Sequence, residues 1–448
     1  MMKHIYISLL TCLMMFLCNG NVQAQKFEPH DVAPMIKTQW GQRYPYNAMS
    51  PKEYIEGEFK TTPTGCAPIA VAQILYFFKY PKSILTPEGR LVVPWDSIPA
   101  VPTKRLKPDE SSRIAALVRV CGLLAFTKYN IGGSPSSLSM IMNSLKQMFG
   151  FSPYISMYNK ANFCDPNWKQ RWKETIYKEL MAGRPVLMSA TGPKGYAHIF
   201  ILDGISHGMV HINFGWEGKD DGYYSLNSMN GFTGDPFIIV DLGNGAYRPE
   251  ITEVKISAAG TLSKAMSEED FQQIRHMCIT GPLNKEDFKF LHYLAHYNTK
   301  KGHTAYLTTL DLKDAEATEI PDSAFKGTSL QYVQLPRATR RIGIRAFEFC
   351  HCLNQVDIPD SVSDIGFRAF RNCESLLMVH IPSHLTALNS STFEYCTNLI
   401  TVTIPPSVTT IDNAVFRGCT RLKIVKMPSG ILHMGTDVFK DCAYKPDK

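Results

Sequence analysis

Apolar residues return at a fixed interval over the last third of the chain. Phe347, Phe370, Phe393, Phe416 and Phe439 stand 23 residues apart, with Phe325 leading by 22. Cys350, Cys373, Cys396, Cys419 and Cys442 follow those five Phe by three, and Leu353, Leu376, Leu399 and Leu422 keep the same step. So do Pro336, Pro359, Pro382, Pro405 and Pro428. A short fixed period of this kind signals a solenoid whose coils stack on one another. Val379-His380-Ile381 and Val402-Thr403-Ile404 alternate as short strands do, and the Pro after each stops it. The pattern predicts one parallel strand per coil, with Phe, Leu and Cys turned inward. The Cys ladder then reads as a column of small buried thiols. Disulfides would pair the coils unevenly, and no Cys-x-x-Cys offers a metal site. Cys352 falls outside the column and is expected at the surface. The first unit is one residue short, with Gly327 at the Cys position, and the last stops just after Cys442 without its strand.

Ahead of the repeats, Ser267 to Met277 and Asn284 to His296 read as amphipathic helices. Each opens on a Ser or Asn cap with acids in the first turn, and both are expected to cap the open end of the solenoid. His292 and His296 lie at i, i+4. The Glu of the zinc-protease motif is missing after His292 and no third ligand is evident, so a solvated helix face is the expectation there.

The first residues read as an address. Lys3 is followed by the apolar run Ile5 to Cys18, and Val22-Gln23-Ala24 fits cleavage before Gln25. This is the pattern of a Sec signal peptide over residues 1–24, too short for a comfortable membrane span. Leu17 stands where a lipoprotein signal needs a small residue. No later segment is long and apolar enough to cross a bilayer. The expectation is a secreted or cell-surface protein, with periplasmic transit open.

The chemistry lies between these ends. Thr64-Gly65-Cys66-Ala67-Pro68 leads into the apolar run Ile69 to Phe78, which Tyr80-Pro81 ends. Pro68 suits a first helical turn, so Cys66 is expected at a helix N-terminus. The free N–H groups and dipole there favour thiolate and help to bind an oxyanion. On this motif alone a buried structural Cys explains the pattern equally well. A thiolate nucleophile needs a His. Residues 198–204 (HIFILDG) and 209–216 (MVHINFGW) read as two strands, and a hairpin centred near Ile205-Ser206 brings His198 opposite Asn213. Asn213 could then fix the imidazole and leave its other nitrogen for Cys66, with Trp216 shielding the bond. His207 and His211 read as structural, and Cys121, Cys164 and Cys278 as buried.

Composition narrows the class. The 448 residues are 44% hydrophobic, which excludes a disordered chain. Lys plus Arg exceed Asp plus Glu by 47 to 40, but the excess forms no basic stripe, which speaks against a nucleic-acid partner. No Gly-x-Ser-x-Gly elbow suggests a serine hydrolase.

Two resemblances follow. Ile358-Pro359-Asp360-Ser361-Val362, through Ile365-Gly366 to Ala369-Phe370, resembles the leucine-rich repeats of bacterial surface proteins over about residues 305–448. That implies a curved solenoid and protein binding or adhesion. Residues 35–245 resemble the streptopain family of papain-like cysteine peptidases. The matching motifs are Trp40-Gly41-Gln42-Arg43-Tyr44-Pro45-Tyr46-Asn47, Gly65-Cys66 with Ala72-Gln73-Ile74, His198 to Gly204, and Asn213 to Gly222. The resemblance implies Cys66 as nucleophile, His198 as base and then acid, and Asn213 orienting His198. It also implies Gln42 donating to the oxyanion and Trp216 covering the Asn–His pair. Phe214 stands where the family usually has Trp, expected to alter the cleft wall, and Glu217 where it has Gly, expected to alter the loop. Little more than Gln25 to Pro34 stands where the family carries a long inhibitory propeptide, so latency is either not needed or supplied elsewhere.

The expected fold is an α+β papain-like cysteine peptidase domain (25–250), a helical lead-in (251–304) and a leucine-rich-repeat solenoid with a parallel β-sheet (305–448). The expected function is that of a cysteine endopeptidase on protein substrates, with no metal or cofactor, its repeats binding a protein ligand or surface. The rival readings are an adhesin with an inactive peptidase-like scaffold, and acyl transfer or another hydrolysis by the same residues.

Overall fold

The computed structural model describes residues 27–86, 89–101, 106–159, 168–266, 274–296 and 307–445. The expected signal peptide and Cys164 lie outside the described residues.

The N-terminal half is built around one helix. A hairpin, β1 (Lys52–Ile55) and β2 (Glu58–Thr61), leads to α1 (Cys66–Phe78), whose residues Ala67 to Leu75 are all buried. A second hairpin, β3 (Ser83–Thr86) and β4 (Gly89–Val92), and two helices, α2 (Pro108–Leu124) and α3 (Leu138–Gln147), follow. Pro108 at the first position and the Glu110 carboxylate on the Lys107 N–H (3.0 Å) start α2. Helix α1 packs against α2 on one side and a six-stranded antiparallel sheet on the other. The sheet comprises β5 (Ser156–Asn159), β6 (Val186–Thr191), β7 (Ala197–Ser206), β8 (Met209–Asn213), β9 (Gly222–Tyr224) and β10 (Gly234–Val240), in the order β5-β10-β6-β7-β8-β9. Helix α4 (Trp168–Met181) packs against β6 and β7.

The register of β7 with β8 differs from expectation. The turn is His207-Gly208, both at positive φ (49° and 71°), a two-residue turn whose twist suits a hairpin. Ser206 pairs with Met209, and the ladder then shifts between Leu202 and Gly204. Asp203 is the extra residue of this bulge. Its carboxylate accepts the Ile36 N–H (2.8 Å) and lies 2.6 Å from His211 Nδ1, while its carbonyl accepts the Met35 N–H (2.9 Å). Asn213 therefore stands opposite Ile201, not His198.

The C-terminal half is a solenoid. One parallel sheet runs from β11 (Thr252–Lys255) through β12 (His276–Pro282) and β13 (Thr309–Asp311) to residues 332–334 and 355–357. The expected strand at Val379–Ile381 reduces to a single bridge, Met378 to Thr401, and pairing resumes between 401–403 and 424–426. The lead-in differs from expectation too. Residues 267–273 of its first expected helix lie outside the described residues, and His276 and Met277 at that helix's end belong to β12. The second forms as α5 (Lys285–Ala295), where Asn284 Oδ1 accepts the N–H of Glu286 (2.9 Å). His292 is half-buried rather than on a solvated face. Its Nδ1 lies 3.2 Å from the Ala324 carbonyl, and its ring stacks on His296 at 5.1 Å.

Inside the solenoid the Phe rings stack from Phe325 to Phe439 with centroids 5.1 to 5.7 Å apart. The thiols do more than fill space. Each donates to the Phe carbonyl of the preceding coil: Cys350 to Phe325 (2.9 Å), Cys373 to Phe347 (3.1 Å), Cys396 to Phe370 (3.2 Å), Cys419 to Phe393 (3.1 Å) and Cys442 to Phe416 (3.0 Å). A small side chain that also donates satisfies a buried carbonyl, which explains why Cys recurs. The described cysteines are all free, and Cys352 is exposed.

The two halves meet through buried polar contacts. Edge strand β5 is closed by a side chain of the repeats. Gln331 Oε1 accepts the Met157 N–H (2.9 Å), and Gln331 Nε2 donates to the Met157 carbonyl (2.8 Å), as a neighbouring strand would. Helix α3 adds Lys146 and Gln147 on Asn354 (3.1 and 2.7 Å) and Asn143 on the Ser375 carbonyl (2.7 Å). Near β12, Arg275 lies 3.5 Å from Asp241 and 3.7 Å from Glu179, both buried. Asp241 is also 3.2 Å from His276.

Candidate active site

The chain can enter α1 only through a glycine. Gly65 has φ 88°, and a Cβ there would lie 2.4 Å from the Ser134 carbonyl oxygen. Cys66 is thus the first residue of the helix, as its sequence predicts. Its sulfur accepts the backbone N–H of Ile199 at 3.4 Å, which brings the start of β7, and with it His198, to the nucleophile.

His198 is buried in an aromatic cage. Its ring lies 4.7 Å from Trp216, 5.4 Å from Phe232, 5.9 Å from Phe200 and 6.1 Å from Phe214. Its Nε2 lies 3.0 Å from the Phe214 carbonyl oxygen. A carbonyl can only accept, so Nε2 carries the hydrogen and Nδ1 is the nitrogen free to take a proton. Burial pushes the imidazole pKa down to about 4, against the Phe214 carbonyl, which favours the charged form. Burial likewise raises the Cys66 thiol, opposed by the N–H groups of Ile199, Ala67 and Cys66. Burial thus works against the thiolate that the helix terminus favours. Desolvation is the larger influence on the thiol, and burial disfavours the charged form of both groups.

Asn213 does not reach His198. Its Oδ1 accepts from Gln73 Nε2 (3.0 Å) and the Gly215 N–H (3.1 Å), and its Nδ2 donates to the Thr38 carbonyl (2.9 Å). Thr38 Oγ1 in turn donates to Gln73 Oε1 (2.8 Å). The hairpin register is the reason: Asn213 pairs with Ile201, three positions along β7 from His198. Asn213 instead ties the loop after β8 to α1, and the Phe214 carbonyl stands where the Asn amide was expected. The Gly215 N–H on Asn213 Oδ1 lies in the same peptide plane as that carbonyl and fixes it, while the Phe214 N–H, in the preceding peptide, donates to Asp221 Oδ1 (2.9 Å). The Phe214 ring is buried against Phe200, Trp216 and Phe232, so this side chain lines the interior and not the cleft wall.

Trp216 covers the imidazole and Phe214 (4.9 Å) rather than an Asn–His pair. Gln42 is held beside the nucleophile loop, its carbonyl accepting the Thr64 N–H at 3.0 Å. Phe214, Asp221 and Gln73 were absent from the expected site. Asp221 and Gln73 lie inside the matching motifs, but a backbone carbonyl leaves no trace in residue type. Among the described residues no group of three or more His, Cys, Asp or Glu could hold a metal ion. No helix among them is long and apolar enough to cross a membrane.

Comparison with known proteins finds two family matches. Residues 40–224 match the Peptidase C10 family, and residues 318–445 match six copies of the BspA type leucine rich repeat region. The chain is 25% identical over 219 residues to streptopain of Streptococcus pyogenes, covering 43% of this chain and 54% of that protein. It is 24% identical over 228 residues to the thiol protease/hemagglutinin PrtT of Porphyromonas gingivalis, covering 45% of this chain and 25% of that one. The chain thus spans about half the length of the streptopains it matches. Among solved structures it is similar to active wild-type interpain A cysteine protease of Prevotella intermedia, at 25% identity and a TM-score of 0.42, covering 49% of this chain and 96% of that one. On the two family matches, this chain carries a domain of the Peptidase C10, or streptopain, family followed by a BspA type leucine-rich-repeat region.

Proposed function

We propose that the protein is an exported cysteine endopeptidase whose repeats form one body with its catalytic half and bind a protein ligand or surface. The observation that carries this reading is the contact of Cys66 Sγ with the N–H beside His198, at the start of a buried helix. In the reaction His198 Nδ1 takes the thiol proton as sulfur attacks a peptide carbonyl carbon. The carbonyl oxygen becomes an oxyanion that the Cys66 N–H and the Gln42 amide receive. The C–N bond breaks, the departing amine takes the proton back from His198, and a thioester remains. Water, deprotonated by the same imidazole, hydrolyses it and restores the thiol. Asn213 and Trp216 hold the loop and the imidazole in place. No metal or organic cofactor enters these steps. Export rests on the signal-like residues 1–24.

A thiol-directed epoxide tests this. The reading expects one adduct on the intact protein, mapped to Cys66 and abolished in His198→Ala. No adduct on a folded wild type would contradict it.

A further inference from the structure

Glu217 occupies a backbone conformation that disfavours it. Its φ is 59°, in the left-handed region where glycine is at ease. Its N–H donates to the Trp40 carbonyl at 3.1 Å. Its side chain lies across Gly41: a Cβ on Gly41 would meet Glu217 Cγ at 2.5 Å and Oε1 at 2.7 Å. Gly41 directly precedes Gln42, and Glu217 directly follows Trp216, whose ring covers His198. The carboxylate thus lies against Gly41, with Gln42 next along the chain from Gly41 and Trp216 next to Glu217. It is exposed, and among the described residues it has no ion-pair partner.

The chemistry of the site says which part of a substrate passes there. His198 returns its proton to the departing amine, so the residue that begins the leaving fragment must lie against the imidazole and its cover. The loop from Phe214 to Gly218 borders that fragment, while the acyl half stays with the sulfur. Resting on the peptidase reading above, we propose that Glu217 is a specificity residue that selects substrates with Lys or Arg at or next to the start of the leaving fragment. A solvent-exposed carboxylate attracts a cation there and repels an acid, by an amount typical of exposed pairs.

The test uses the full chain and matched quenched-fluorescence peptides that differ only at the first leaving residue: Arg, Gln or Glu. Wild type is expected to cleave in the order Arg, Gln, Glu, with kcat/KM about fivefold apart at each step at low salt, and the ratio should shrink as salt rises. Glu217→Gln and Glu217→Gly should bring the Arg-to-Glu ratio close to one. Asp220→Asn, which removes a neighbouring exposed carboxylate, should keep it. An unchanged ratio in both Glu217 variants, or a ratio that Asp220→Asn abolishes equally, overturns the proposal. A folded wild type that cleaves none of the peptides and takes no epoxide overturns the peptidase reading, and this proposal with it.

Discussion

The Nε2 atom of His198 lies 3.0 Å from the carbonyl oxygen of Phe214, so a main-chain group holds the imidazole where an Asn side chain was expected. A carbonyl is only as well aimed as its peptide plane, and here Asn213 Oδ1 sets that plane through the Gly215 N–H, which shares it (3.1 Å). Asn213→Ala should therefore lower kcat between ten- and a hundredfold, the scale of a small misplacement at a reacting group. Asn213→Asp keeps the acceptor oxygen for the Gly215 N–H and should lose much less. Steady-state kinetics on both variants check this, and equal losses would contradict it.

The buried imidazole makes the fold acid-sensitive. Its pKa is about 4 in the folded chain against an ordinary 6.5, so the unfolded chain takes up the proton first. The stability is intact above pH 6.5 and is lost as pH falls toward 4. Down to pH 4.5 the loss is about 2 kcal/mol. Denaturant unfolding at pH 7 and 4.5 should show His198→Gln losing about that much less than wild type on acidification.

The thiol ladder should be chemically silent. Burial raises the pKa of Cys350, Cys373, Cys396 and Cys419, that of Cys350 to about 12, and each donates to a buried carbonyl. A chromogenic disulfide reagent should leave these four unreacted in the native protein and reach them only in guanidinium. Fast native reaction, or disulfides among them, would contradict the packing.

Gln331 joins the halves. Gln331→Ala leaves the Met157 N–H and carbonyl on edge strand β5 without partners, a loss of about 2 kcal/mol. Hydrogen exchange at Met157 should accelerate and the thermal midpoint should fall. Unchanged protection there would show that the contact carries no stability.

What was legible in the sequence follows from how each feature is written. The repeats announce themselves because every coil reuses one set of inward positions, and Phe347, Cys350 and Leu353 recur without drift. Cys66 was legible because Gly65 and Pro68 bracket a helix start. The hairpin register was not. Symmetry about Ile205-Ser206 ignored the His207-Gly208 turn and the bulge at Asp203, and each displaces Asn213 relative to His198. The join between the halves was invisible as well. Gln331 and Asn354 look like ordinary polar letters of a repeat, and only the fold brings Met157 and Lys146 to them.

The central claim is that Cys66 and His198 hydrolyse peptide bonds. Casein cleavage by the chain beginning at Gln25, beside Cys66→Ala, with and without reductant and the epoxide, tests it most directly. The account predicts cleavage by wild type that needs reductant, is blocked by the epoxide and is absent in Cys66→Ala. Equal cleavage by the two proteins, or none by a folded wild type that also takes no epoxide, would contradict it.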